Sequence, residues 1–166
     1  MSVTQQQLNL NQFSLQAIVG QKAENFGLTM VKQCVVSSNQ TTALVPGQAV
    51  QFDTAVTSGP IPSIIAATPS QKADGYIEYD VKNGGNLVSG VVCSVIISGA
   101  LYLLADVAFN QGAVFEDAVD GNIEPFGTTA GAYPRGEVLA PAAAGQIVPV
   151  LVGSMAAKIA GAAAAA

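Results

Sequence analysis

Carboxylates crowd together at one place in the sequence, residues 116–124, which read Glu-Asp-Ala-Val-Asp-Gly-Asn-Ile-Glu. Oxygen atoms of Asp, Asn and Glu suit a hard cation such as Ca²⁺, although the spacing fails the EF-hand pattern. The dipeptide Asp120-Gly121 between two short β-runs is a strong signal for a two-residue hairpin turn. We therefore expect a hairpin, with a calcium site as the alternative. A hydrolase would need a cavity that brings Asp117, Asp120 and Glu124 together.

Other residue types that carry catalysis are sparse. The chain has no His and no Trp, and it contains neither a Gly-x-Ser-x-Gly elbow nor a phosphate-binding glycine loop. It therefore lacks the side chain that best suits proton transfer near neutrality and that most often binds metals. We expect no enzymatic activity, no catalytic residue, no metal and no cofactor. An exposed patch for a carbohydrate would have few aromatic candidates, namely Tyr76, Tyr102 and Tyr133.

The two cysteines, Cys34 and Cys93, each lie within an apolar run. A free thiol in such a run behaves as a small buried hydrophobic group. We expect two buried free thiols. A disulfide between them and a reactive nucleophile are the alternatives, and the latter would need surroundings that lower the thiol pKa.

Charge and composition limit the partners. The net charge is −5 and the six basic residues are scattered along the chain, so we expect no nucleic-acid binding. The amino terminus has no basic segment followed by an apolar core, which predicts that there is no secretory signal. The sequon Asn39-Gln40-Thr41 is then a chance match. Residues 147–166 contain Pro149 and Lys158 and are rich in Ala, so we expect no membrane span.

Three regions follow from the patterning. Residues 1–30 form a polar arm rich in Gln and Asn, residues 31–153 form a β domain, and residues 154–166 form a short Ala-rich tail. Apolar residues that stand singly in a polar arm gain burial only when they dock on something. We therefore expect the arm to dock on its own domain or on a partner through Leu8, Leu10, Phe13 and Leu15. The alternative is that the arm is an ordinary first strand and loop of the same domain.

The β domain consists of short runs rich in β-branched residues, separated by turns that contain Gly, Pro and Asn. Candidate strands cover 31–37, 49–53, 75–81, 91–98, 100–105, 113–115, 136–140 and 147–152. The alternation in residues 76–81 predicts that Ile77, Tyr79 and Val81 face the core and that Tyr76 faces solvent. The core should be built around residues 91–105, with Gly99 as a bend. This spacing predicts an all-β fold, either a sandwich or a barrel-like domain.

An ordered series of motifs then becomes recognisable. It includes Gly-Tyr-Ile-Glu-Tyr-Asp-Val-Lys-Asn at 75–83, Gly-Val-Val-Cys-Ser-Val-Ile at 90–96 and Leu-Tyr-Leu-Leu-Ala at 101–105. Together with the glycine-led runs near residues 47, 112 and 145, the series resembles the head decoration, or capsid cement, proteins of tailed bacteriophages. The resemblance covers roughly residues 43–153.

This resemblance implies a β-tulip or barrel-like domain that forms a homotrimer on the outer capsid surface. Such a protein is made in the host cytoplasm and joins the virion at three-fold or quasi-three-fold positions. There it holds neighbouring subunits of the major capsid protein against the pressure of the packaged DNA. In this setting Leu8, Leu10, Phe13 and Leu15 of the arm are expected to contact the major capsid protein or a neighbouring subunit. The alternative function is a β-sandwich binding module of a phage fibre or adhesin that recognises a carbohydrate or a host-surface ligand.

Overall fold

The structure is a computed structural model that describes residues 17–23, 26–56, 59–83, 85–118 and 121–153. These residues form nine strands and no α-helix, so the all-β prediction is confirmed. A short 3₁₀ helix covers Val81–Asn83. The strands are β1 Met30–Val36, β2 Ala49–Phe52, β3 Ser63–Ala66, β4 Gly75–Ile77, β5 Val92–Leu104, β6 Val114–Asp117, β7 Ile123–Pro125, β8 Gly136–Val138 and β9 Ile147–Val152.

The first five strands close on themselves. They are hydrogen-bonded in the order β1-β3-β2-β4-β5, and β1 also pairs with β5. β1 and β3 run parallel, whereas the other neighbours in this circuit are antiparallel. A sheet whose edge strands pair with each other is a barrel. The first half of the domain is therefore a small closed barrel.

β5 belongs to both halves of the domain. Its residues up to Ser98 pair with β1 and β4, and its residues from Gly99 onward pair with β9. The register with β1 shifts between Met30 and Val31, which is a β-bulge, and Gly99 has a φ of 118°. A Cβ atom at residue 99 would lie 2.6 Å from the Cα of Thr29, so the junction requires glycine.

The second half is an open sheet in the order β5-β9-β8-β6-β7, in which every pair is antiparallel. Two hydrophobic clusters result. One fills the barrel and includes Val50, Ile64 and Val95. The other includes Ile96, Leu101 and Phe115 and packs between the barrel and the open sheet. The prediction that residues 91–105 form the centre of the core is confirmed, because β5 contributes to both clusters.

Several details of the sequence prediction are wrong. The two strands expected on either side of Gly99 are one continuous strand of 13 residues. β3 was not predicted; its apolar run is very short and is bordered by prolines. β4 ends at Ile77, and Val81 lies exposed in the 3₁₀ helix. Tyr76 and Ile77 are both buried, because β4 lies between the two clusters and neither of its faces is exposed to solvent.

Residues 17–23 lie against the second half of β5. Lys22 forms a β-bridge with Leu101, and the backbone N–H of Gly20 donates to the carbonyl oxygen of Tyr102 at 2.8 Å. The ammonium group of Lys22 also pairs with the carboxylate of Glu78 at 2.9 Å. The last part of the expected arm therefore packs on its own domain, and Met30 already belongs to β1. The boundaries of arm, domain and tail stay predictions, as do contacts of residues 1–16 and 154–166.

Candidate binding surface

The acidic stretch forms the hairpin that the sequence predicted. β6 and β7 pair with Glu116 opposite Glu124 and Asp117 opposite Ile123. The N–H of Ala118 donates to the carbonyl oxygen of Asn122, and the N–H of Gly121 donates back to Ala118. Ala118 and Asn122 are therefore the last bonded pair of the hairpin, and the expected two-residue turn at Asp120-Gly121 is wrong. Gly121 has a φ of 89°, as in three-residue hairpins whose last residue is left-handed.

Asp117 is the centre of a buried ion pair. Its Oδ2 accepts a hydrogen bond from Nε of Arg135 at 2.5 Å, and its Oδ1 accepts one from the hydroxyl of Tyr76 at 2.9 Å. Arg135 also donates through Nη2 to the carbonyl oxygen of Thr68 at 2.9 Å. The network therefore connects β4, β6 and the loop that precedes β4. The sequence analysis did not predict this network. The one available signal for it was that Arg135 is the only Arg in the chain.

Burial dominates the proton affinities in this network. It raises the pKa of the Asp117 carboxyl, although the positive charge of Arg135 and the hydroxyl of Tyr76 both oppose the rise. It also raises the pKa of Tyr76 well above its usual value. Every buried side-chain nitrogen and oxygen of the described residues has a hydrogen-bond partner. A buried and fully bonded network of this kind holds elements together.

The neighbouring carboxylate, Glu116, fixes a loop. It is fully buried, and its two oxygens accept the backbone N–H groups of Gly127 at 2.7 Å and Thr129 at 2.5 Å. The hydroxyl of Thr129 then donates to Glu124. Three carboxylates of the acidic stretch therefore bond to protein groups, while Asp120 lies outside the described residues. Among the described residues, no group of His, Cys, Asp and Glu is arranged to hold a metal ion.

A second polar cluster surrounds Asp53. Its carboxylate accepts hydrogen bonds from the hydroxyl of Ser37 at 2.5 Å and from Nδ2 of Asn39 at 2.9 Å. These bonds, that of Ser37 above all, hold the pKa of Asp53 below its usual range despite its burial. Asn39 is the asparagine of the sequon, and its amide is thus engaged within the domain.

The two cysteines are free and buried, as predicted. They lie directly opposite each other in the pairing of β1 with β5, inside the barrel. Burial raises the pKa of Cys34, and it raises the pKa of Cys93 to about 12. Both thiols therefore stay protonated near neutrality and make poor nucleophiles.

The three tyrosines do not form an exposed patch. Tyr76 is buried, Tyr102 is partly buried and Tyr133 is exposed. The expectation that Tyr76 faces solvent is wrong, because its hydroxyl is bonded to Asp117 and its ring belongs to the core. The aromatic surface that a carbohydrate would need is correspondingly reduced.

Exposed apolar residues concentrate just before and at the start of β1. Four of the residues in 26–31 are large, apolar and exposed, and none of the six is charged. Leu28 is 98% exposed and Met30 is 66% exposed. Thr29 between them is partly buried, and its hydroxyl donates to the carbonyl oxygen of Ala100 at 3.4 Å. We call this surface the apolar strip; it consists of Phe26, Leu28, Met30 and Val31.

The strip adjoins an open strand edge. β1 pairs with β5 from Met30 to Val35, but it pairs with β3 only at Val35 and Val36. On the β3 side, residues 30–33 therefore have no strand partner among the described residues. Clustered apolar side chains beside such an edge are typical of a binding surface. The apolar strip is the candidate functional site, and its Phe-Gly-Leu-Thr-Met pattern was the signal that sequence reasoning passed over.

The residues first chosen for partner contacts, Leu8, Leu10, Phe13 and Leu15, lie outside the described residues. Their role stays a prediction. No helix in the described part of the chain is both long enough and apolar enough to cross a membrane.

Comparisons with known proteins give a likeness in fold. No protein-family model matches the chain, and no curated protein matches its sequence. The structure is similar to the crystal structure of the N base of the head fibre protein gp8.5 of bacteriophage phi29, with a TM-score of 0.50 and 15% sequence identity. The match covers 75% of this chain and 94% of that chain. At this identity the likeness shows a shared fold.

Proposed function

We propose that this chain is a structural protein of a phage virion. It attaches to the outer surface of the head as a homotrimer and cements neighbouring subunits of the major capsid protein. The observation that carries the proposal is the fold shared with a phage head-fibre base, over 94% of that chain. The motif series at 75–105, which resembles capsid decoration proteins, supports the same assignment from the sequence.

The geometry suits adhesion. A barrel that is joined to a second sheet by β5, and by hydrogen bonds from Tyr76 to Asp117 and from Arg135 to the carbonyl oxygen of Thr68, is a stiff scaffold. The apolar strip offers burial as the driving force, and covering a side chain such as Leu28 or Met30 contributes about 1.5–3 kcal/mol. The net charge of −5 disfavours contact with nucleic acid.

Co-sedimentation with capsids tests the proposal. The full chain is mixed with empty capsids assembled from the major capsid protein of the same phage genome, and the bound fraction is measured by ultracentrifugation. We expect saturable binding that persists at high salt, because apolar burial is not screened by ions. Absence of saturable binding would overturn the proposal.

A fibre base is the second candidate, and the phi29 neighbour favours it because that protein is a head-fibre base. The two candidates differ in their effect on the capsid. Cement should raise the temperature at which capsids rupture, with saturation at one trimer per three-fold or quasi-three-fold position. A fibre base should bind and leave the rupture temperature unchanged. The adhesin alternative predicts hits on a glycan array and no capsid binding.

A further inference from the structure

We propose that Cys34 and Cys93 are a redox site, at which a reversible disulfide ties β1 to β5 when the chain meets a small-molecule disulfide as oxidant. In the structure both residues are free thiols. This inference goes beyond the proposed function and does not depend on it, because it concerns a covalent modification inside the barrel and involves no partner.

The two thiols lie opposite each other in the barrel wall. Cys34 and Cys93 are direct partners in the antiparallel pairing of β1 with β5, and both belong to the cluster that fills the barrel. The N–H of Val36 points to the β5 side, where it donates to the carbonyl oxygen of Val91. Because alternate N–H groups of a strand point the same way, Cys34 and Cys93 form a hydrogen-bonded pair. The Cα atoms of such a pair are about 5.5 Å apart, within the range of about 4.4–6.8 Å that a disulfide spans.

The same geometry makes the bond reversible. Directly opposite Cβ atoms in a sheet lie about 4.5–5.5 Å apart, and a hydrogen-bonded pair is at the upper end of this range. A disulfide needs about 3.5–4.5 Å, so the two strands must approach each other locally and the bond is strained. Strained disulfides are reduced more easily than relaxed ones. We therefore expect the dithiol in a reducing cytoplasm and the disulfide in oxidising surroundings.

The short seam between β1 and β3 gives an oxidant its way in. β1 pairs with β3 only at Val35 and Val36, directly after Cys34, whereas it pairs with β5 from Met30 to Val35. The shorter ladder should open more readily than the longer one. Opening of the barrel at this seam exposes its interior, while the pairing of β1 with β5 keeps the two thiols opposite each other. In the closed barrel both thiols are buried and unreactive.

The surroundings set the order of the two steps. Burial raises the pKa of both thiols, that of Cys93 to about 12, but the positive charge of Lys32 opposes the rise at Cys34. Cys34 also adjoins the seam, so it reacts first. Its proton goes to solvent, its thiolate attacks one sulfur of glutathione disulfide, and one glutathione leaves as a thiolate. The thiolate of Cys93 then attacks Sγ of Cys34 and expels the second glutathione. Two protein thiols are thus oxidised by two electrons, and one glutathione disulfide becomes two glutathione thiols.

Refolding in glutathione buffers tests the inference without capsids. The full chain is unfolded in urea, refolded at a series of ratios of glutathione disulfide to glutathione, quenched with acid and measured by mass spectrometry. We expect a product that has lost two hydrogen atoms and carries no glutathione. A product that carries one glutathione at every ratio, or a disulfide only between two chains, would overturn the inference.

The matched control is the variant Val92→Cys/Cys93→Val, which moves one thiol by a single position. Val92 is 48% exposed and Cys93 is 3% exposed, because successive side chains of a strand point to opposite faces. The loop that a disulfide would close in the unfolded chain is almost unchanged in length. The control should therefore need a ratio of glutathione disulfide to glutathione about tenfold higher or more for half oxidation. Equal ratios would show that the register of the fold does not favour the bond.

A second measurement needs no variant. The disulfide would close a loop of about 60 residues, which restricts the unfolded chain, and strain offsets part of the gain. The oxidised wild-type chain should melt roughly 4–12 °C above the reduced chain, and reduction should restore the lower Tm. An oxidised chain with an equal or lower Tm would mean that the bond does not fit the folded barrel, and would reject the inference.

Discussion

Replacing Arg135 with Met should destabilise the domain far more than replacing an exposed cation does. The side chains of Arg135 and Asp117 are only 3% and 5% exposed. Arg135→Met leaves the carboxylate of Asp117 buried with the hydroxyl of Tyr76 as its remaining side-chain donor. Removing one partner of a buried pair costs about 3–5 kcal/mol of unfolding free energy. At about 2–4 °C per kcal/mol, Tm should fall by roughly 6–20 °C.

The chain offers a matched control in Lys22→Met. It also removes a cation from an ion pair, but the side chains of Lys22 and Glu78 are 34% and 18% exposed. Solvent screens such a pair, so the expected loss is about 0–1 kcal/mol. The triple variant Tyr76→Phe/Asp117→Leu/Arg135→Met removes every charge and hydroxyl of the network together. It should recover most of the stability, because no polar side chain is then left without a partner.

The defect of Arg135→Met should depend on pH. Burial raises the pKa of Asp117 above its unfolded value, so the stability associated with its protonated form is present at low pH and is lost as the pH rises through the raised pKa. Without Arg135 the pKa rises further. The defect should therefore be smaller at about pH 4 than at neutral pH. Urea unfolding of the three variants at both pH values measures it. Equal losses for Arg135→Met and Lys22→Met at neutral pH would refute the reasoning.

Other changes test the remaining features. Glu116→Gln places an amide donor against a backbone N–H donor, so it should lower the free energy of unfolding by about 1–3 kcal/mol. It should also speed hydrogen exchange in residues 127–129, and unchanged exchange would contradict this. Gly99→Ala should lower the free energy of unfolding, measured by urea titration, by about 1–3 kcal/mol or more. The control Gly90→Ala, also at positive φ but in open space, should lower it less, and equal losses would contradict the steric argument. Cys34 and Cys93 should react with a thiol reagent at pH 8 only upon unfolding, and rapid labelling of the native chain would show that the barrel opens.

Local patterns were enough to predict the class of the fold. The β-branched runs and their turn residues indicated strands, and the apolar length of residues 91–105 indicated the centre of the core. The free buried thiols followed from the same runs, because a cysteine within a buried strand is itself buried. The hairpin at residues 116–124 was predictable because its turn signal and its partner strands are adjacent in sequence.

The candidate site was less accessible from the sequence. Leu28 and Met30 have the alternating pattern of a half-buried strand, and nothing in their own types says that they stay exposed. Their exposure follows from the end of β3, which stops short of this part of β1. The role predicted for Leu8, Leu10, Phe13 and Leu15 stays a prediction, because these residues lie outside the part of the chain that the structure describes.

By itself the sequence determined most of the strands, the buried thiols and the absence of histidine chemistry, because these depend on residue types and on neighbours along the chain. The tertiary structure alone decided that β1 closes the barrel on β5, and that Tyr76 meets Asp117 across 41 positions of sequence. Strand edges carry the same N–H and C=O groups whatever their side chains. Which edges pair, which stay open and which polar groups meet in the core is therefore settled only when the whole domain packs.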